Sequence, residues 1–248
     1  MPDGNFDLLH PPIPAFDRFQ IVQADAVAWL RQLPDESVDL VVTDVAYESL
    51  DKHRYGAESC RRLREWFPTF KNARYGELFP ELYRVLKPNT HCYVFSDSET
   101  MFHMKPAGEA AGFKFWKPIV WDKKKIGMGY HYRAQCEFIL FFEKGSRKLA
   151  DLGVPDVLPF ERIRRKNGFP TEKPVELLGA LILQSSDLGA LVVDPFMGSG
   201  ATGEAALNFG RRFMGSDVWD RAIETAVARL EAVRARIQPT EPFGGIER

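Results

Sequence analysis

An α/β fold built on a mostly parallel sheet is what this 248-residue sequence predicts, and three observations carry the prediction. Short β-branched apolar runs alternate with helical stretches along the chain, the pattern of repeated β-α units. The runs are nearly continuous in hydrophobicity, as strands covered on both faces must be. Near the C-terminus a strand, a glycine-rich turn, a helix, a second strand and a second helix follow in succession.

Taking the elements in order, Phe19 to Gln23 forms a short strand, and Asp25 is placed to start a helix through Leu33, closed by Pro34 and Asp35. Val38 to Thr43 is a buried parallel strand that stops at Asp44. From Glu48 to Lys71 periodicity fades and basic residues outnumber acids, which predicts a long loop with partial helix. A helix over Tyr75 to Leu86 ends at Lys87 and Pro88, and Cys92 to Ser96 is the next strand. A helix near Glu99 to Ala111 precedes strands over Phe115 to Trp121 and Glu137 to Phe142, with a basic, glycine-containing segment between them.

Gly145 to Pro170 is rich in turn residues around the basic cluster of Arg162, Arg164, Arg165 and Lys166, and a helix follows over Pro174 to Ser185. The last third is the clearest. Ala190 to Asp194 is a strand, Pro195 to Gly200 a turn, Ala201 to Phe209 a helix, Arg211 to Asp217 a strand and Asp220 to Ile237 a helix. The Pro- and Gly-containing tail 238–248 is expected to be disordered.

The length suits one domain over 1–248. A composition of 45% hydrophobic and 27% charged residues is that of a globular protein, and no apolar run is long enough to cross a bilayer, so no membrane role is expected. The first ten residues carry acids and no basic n-region, so the cytoplasm is the expected location. Cys60, Cys92 and Cys136 are odd in number and widely spaced, which fits reduced thiols better than a disulfide frame or a zinc site. His53, His103 and His131 lack metal spacing, and no metal is expected. A net charge of -1 gives no global basic excess, so nucleic-acid binding must rest on local patches.

Gly198, Gly200 and Gly203 fit G-x-G-x-x-G between a strand and a helix, and Asp217 ends the next strand about 20 residues on. Glycines let the backbone turn tightly and approach a ligand, the helix start offers amide hydrogens, and the carboxylate can accept ribose hydroxyls. That combination points to an adenosine-type ligand. The loop lies late in the chain, whereas a nicotinamide fold usually begins with it.

Val193 to Gly200 (VDPFMGSG) resembles the S-adenosylmethionine loop of amino-methylating DNA methyltransferases, and Thr171 to Pro174 (TEKP) is similar to the segment preceding it in that family. The resemblance spans nearly the whole chain. With the catalytic tetrapeptide early and the cofactor loop late, the order resembles the β class, a circularly permuted methyltransferase. It implies a Rossmann-like, mostly parallel seven-stranded sheet with an antiparallel strand. It also implies a catalytic half at about 19–145, a short recognition or connector segment at about 145–170 and a cofactor-binding half at about 171–237.

The family's tetrapeptide, (Asp/Asn/Ser)-Pro-Pro-(Tyr/Phe/Trp), falls on Asp44, Val45, Ala46 and Tyr47, with both prolines replaced. An exocyclic amine has its lone pair delocalised into the ring, so a site that methylates it must accept both amine hydrogens. By resemblance Asp44 supplies a carboxylate, Val45 its main-chain carbonyl, and Tyr47 stacks on a flipped base. Aspartate in the first position favours adenine. The resemblance further places Asp25 and Ala26 at the cofactor's adenine and Thr171 and Lys173 at its methionine end. Asp194, Pro195, Phe196, Gly198, Ser199 and Gly200 form the loop, and Asp217 meets the ribose.

The partner so implied is DNA. Lys52, His53, Arg54, Lys123, Lys124, Lys125, Arg133, Arg164 and Arg165 are the candidate contacts, although such clusters also occur as solvated surface. The resemblance allows a homodimer. Three other readings fit parts of the pattern: an N4-cytosine methyltransferase, a catalytically weak cofactor- and DNA-binding module lacking the prolines, and a nicotinamide oxidoreductase.

Overall fold

In β2, Val38–Asp44, successive side chains enter opposite cores: Leu40 and Val42 pack on one face of the sheet, Val41 on the other. The same division holds in β3, Leu86–Ser96, where Tyr93 and Phe95 oppose Cys92 and Val94, and in β7, Leu191–Asp194, where Val192 opposes Leu191 and Val193. Burial on both faces is why these runs show no polar alternation. The structure is a computed structural model that describes residues 18–54, 68–127, 131–163 and 172–237. Cys60, Arg164, Arg165, Thr171 and the tail 238–248 lie outside the described residues.

The remaining strands are β1, Phe19–Gln23, β4, Lys114–Asp122, β5, Cys136–Lys144, β6, Val157–Pro159, and β8, Arg212–Asp217. They form one eight-stranded sheet in the order β1-β8-β7-β2-β3-β5-β4-β6. β5 alone runs against its neighbours, pairing antiparallel with β3 and β4, so the expected antiparallel strand is present. The expected count of seven is corrected to eight. β6 adds in parallel to the edge strand β4, inside the segment read from sequence as a connector. Three residues, the last of them Pro159, carry no periodicity, so only pairing with β4 defines the strand.

Helices cover both faces. α1, Ala26–Leu30, α3, Tyr75–Val85, and α4, Met101–Ala110, pack on one core; α2, Ser49–Arg54, opens the long loop after β2. α5, Val175–Ser185, α6, Ala201–Asn208, and α7, Asp220–Ile237, pack on the other. Several boundaries differ from expectation, the largest being β3, which begins at Leu86 rather than Cys92. α1 ends at Leu30 rather than Leu33, and α3 ends at Val85 because Leu86 already pairs with Val38 as the first residue of β3.

β7 and β2 are parallel neighbours, with Val41 opposite Val193. The helix after β7 crosses to one face and the segment after β2 to the other, so a crevice opens at the strand ends between them, the position where open α/β sheets bind ligands. Gly203 lets α6 lie close: a Cβ there would come within 2.8 Å of Leu230 and Phe213. Among the described residues no helix is long and apolar enough to cross a membrane.

Candidate active site

The crevice is a cavity of about 380 Å³ at the ends of β1, β8, β7 and β2. Its glycine-rich wall is held from below. The Gly198 N–H donates to Asp217 Oδ2 at 3.0 Å, and the Trp219 N–H donates to Asp217 Oδ1 at 2.9 Å. Each oxygen keeps a lone pair, so the carboxylate can still accept a hydroxyl. Burial pushes its pKa up. Gly200 caps α6 with φ 78°, a left-handed conformation that suits glycine, and its Cβ would meet Ala226 at 2.9 Å.

Asp194 ends β7 fully buried. It accepts the hydroxyls of Thr43 at 2.7 Å and Thr202 at 2.8 Å and the Phe196 N–H at 3.0 Å, and burial pushes its pKa up to about 7. The carboxylate therefore ties β2, β7 and α6 together beneath the cavity. Pro195, Phe196, Gly198 and Ser199 line the cavity above it, while Gly200 stands behind the lining.

At the outer end Asp25 caps α1, accepting the Ala28 N–H at 3.2 Å. Both of its oxygens also accept from the Arg74 guanidinium at 2.9 Å, which holds its carboxyl below the usual range. Arg74 lies over the Phe70 ring at 4.8 Å, and Phe70 meets Phe196 edge-on at 5.1 Å. Asp25, Ala26, Arg74, Phe70 and Phe196 thus form a polar and aromatic rim around that end.

Asp44, at the end of β2, closes the opposite side. Its Oδ1 accepts the Tyr47 hydroxyl at 2.8 Å and its Oδ2 accepts from Lys173 Nζ at 2.5 Å. Burial pushes the Asp44 carboxyl up, Glu137 adds to the rise, and Lys173 pulls it down. Among the described residues no donor occupies the Val45 carbonyl, whereas the Ala46 carbonyl accepts the Phe70 N–H at 2.7 Å. This bond, with the Tyr47–Phe70 bridge, fixes a tetrapeptide that has no prolines.

Two of the expected residues also make contacts with Asp44 that the sequence did not foretell. Tyr47 lines the cavity, but its ring is largely buried in the core and its hydroxyl donates to Asp44. Lys173, expected at the methionine end, places its ammonium on Asp44 and 3.3 Å from Glu137, although it also lines the cavity.

The proposed DNA contacts divide. Lys123 is tied to Glu137 at 2.5 Å and Lys125 to Glu161 at 3.1 Å, so neither is a free cation. Lys124, at φ 60°, and Arg133 are exposed on the loop joining β4 to β5. Lys52, His53 and Arg54 fall in α2, but their side chains lie outside the description.

Sequence reasoning passed over Glu137, Arg74 and Phe70. Glu137 stands near the start of an apolar strand, where a charged residue normally marks a solvated end, and no local pattern singles out Arg74 or Phe70.

The donors suit S-adenosylmethionine: an acid on the glycine wall for a diol, a polar and aromatic rim for a purine, and no bulky side chain at Gly198. Comparison with known proteins agrees. A family model for N6/N4 DNA methylases matches residues 38–163 and 153–228. YubD of Escherichia coli is 31% identical over 222 residues, covering 88% of this chain and 93% of YubD. The type II methyltransferase M.HhaII of Haemophilus parahaemolyticus is 30% identical over 205 residues, covering 76% of this chain and 86% of that protein. The crystal structure of the M1.HpyAVI-SAM complex superposes with a TM-score of 0.65 at 25% identity, over 86% of this chain and 100% of that one.

Proposed function

The chain belongs to the N6/N4 DNA methylase family, and from that premise we propose that it methylates the N6 amine of adenine at a specific DNA sequence. At the coarser level it is a DNA amino-methyltransferase that uses S-adenosylmethionine. The observation that carries the adenine reading is Asp44, a carboxylate at the mouth of β2 beside the Val45 carbonyl, which accepts no hydrogen bond among the described residues. The early tetrapeptide and late cofactor loop favour the β class, with one methyltransferase domain over 1–248.

Asp25 and Ala26 hold the cofactor's adenine end, Asp217 its ribose, and the loop of Asp194, Pro195, Phe196, Gly198, Ser199 and Gly200 follows its length, with Thr171 and Lys173 towards the methionine. When bound, S-adenosylmethionine supplies an electrophilic sulfonium methyl. The chain's own work lies on the base. Asp44 Oδ1 and the Val45 carbonyl accept the two amine hydrogens, which favours a pyramidal nitrogen with its lone pair free.

For Tyr47 to stack on the base its hydroxyl must leave Asp44, so base entry exchanges an internal hydrogen bond for one to the amine. Lys124 and Arg133, with Lys52, His53, Arg54, Arg164 and Arg165, are placed in this reading at the DNA backbone. Labelled S-adenosylmethionine with mixed DNA should label adenine. Label confined to cytosine would replace the reading with N4 methylation.

A further inference from the structure

We propose that Glu137 is a positioning residue for methyl transfer: it shares the Lys173 ammonium with Asp44, so that Asp44 keeps the electron density needed to accept an amine hydrogen. The inference rests on the reading of Asp44 as the amine acceptor. Four charges alternate along one wall. Lys123 Nζ is 2.5 Å from Glu137 Oε1, Glu137 Oε2 is 3.3 Å from Lys173 Nζ, and Lys173 Nζ is 2.5 Å from Asp44 Oδ2. The row draws on the turn after β4, on β5, on the segment before α5 and on β2, so no single element accounts for it. Aromatic rings floor it: Phe95 lies 5.2 Å beneath Lys173, and Trp121 lies 5.3 Å beneath Lys123.

The link between Glu137 and Lys173 is incomplete. Glu137 Oε2 is buried, and its 3.3 Å contact to the Lys173 ammonium is an ion pair without good hydrogen-bond geometry. A role in stability alone would be served by a closed pair, since a buried carboxylate oxygen without a hydrogen bond costs free energy. The longer, 3.3 Å ion-pair contact lets Lys173 lean either way. Paired with Asp44 alone, the ammonium would quench the carboxylate; shared, it keeps Asp44 ionised while leaving it a good acceptor. Besides Lys173 and Glu137, the groups facing Asp44 are Tyr47 on its own loop, Asp194 on β7 and Tyr75 on α3. Burial and Glu137 raise Asp44 while Lys173 lowers it, so the two partners oppose each other at one carboxyl.

The test follows Asp44 in the cofactor-free full chain by carbon-13 NMR of labelled aspartate carboxyls, and single-turnover transfer of labelled methyl at saturating DNA and S-adenosylmethionine, counted whatever the base. Glu137→Gln should move the Asp44 titration to lower pH and slow transfer about tenfold, with S-adenosylhomocysteine affinity unchanged. Lys123→Met frees Glu137 to draw Lys173 away and should move the titration to higher pH. Glu137→Asp should restore part of the rate. Unmoved titrations, or displacements in the same direction, would overturn the proposal. If Glu137→Gln fails to fold, Lys123→Met decides alone. Label in cytosine would sink the adenine reading while leaving the Asp44 titrations to judge Glu137.

Discussion

Asp44 and Lys173 are separated by 129 residues in sequence and 2.5 Å in space, and their contact joins the end of β2 to the segment that leads into α5. Removing the carboxylate by Asp44→Ala should lower the single-turnover rate by about 10²- to 10³-fold, while calorimetric affinity for S-adenosylhomocysteine changes little. A mutant of near-normal rate would remove Asp44 from the chemistry.

Asp217 both supports the loop and offers free lone pairs to the cavity. Asp217→Ala should therefore weaken S-adenosylhomocysteine binding by about tenfold or more, because the ligand loses an acceptor and the Gly198 amide loses its anchor. Equilibrium dialysis measures it. Unchanged affinity would mean that the ribose is held elsewhere.

The Arg74–Asp25 pair is partly exposed, so its contribution is small. Arg74→Ala should raise the cofactor dissociation constant about twofold to fivefold while leaving the single-turnover rate at saturating cofactor unchanged. A loss of rate with no loss of affinity would move Arg74 from the cofactor's end of the cavity to the base's.

Asp194 titrates at about 7 because burial disfavours its charge, against about 4 in an unfolded chain. Between those values the folded chain binds more protons than the unfolded one, so this group's stabilisation is complete below about pH 4 and is lost as pH rises through about 7. In the cofactor-free protein, Asp194→Asn should flatten the fall in stability across that window, as read from urea midpoints. An identical slope in the mutant would show that Asp194 is ionised throughout.

Close packing of α6 on the sheet gives a separate test. Gly203→Ala places a methyl 2.8 Å from Leu230 and Phe213 and should destabilise the fold by about 1–3 kcal/mol, measured by denaturant unfolding. No loss would show that α6 shifts freely.

The glycine-rich turn, Asp217 and Asp44 were legible because each ends or directly follows a strand, where local pattern and chemistry coincide. The partners of Asp44 and Asp25 were not. Glu137 and Arg74 reach their sites through tertiary packing, and a lone charged residue at a strand or helix end looks the same whether it faces water or a buried neighbour. Tyr47 was identified by position, but its orientation is set by the bridge to Phe70, which no local rule foretells. Likewise Lys123 and Lys125 counted as free basic groups until Glu137 and Glu161 came beside them.

The placement of β7 between β2 and β8 has a consequence for folding order. β2 leaves the ribosome early, yet its neighbour on that side is made about 150 residues later, so its edge stays open during synthesis. Until β7 arrives, Thr43 has no Asp194 beside it. Nascent chains that stop before the last βα unit carry the acceptor carboxylate but no complete crevice, so competence for methyl transfer arrives late and all at once.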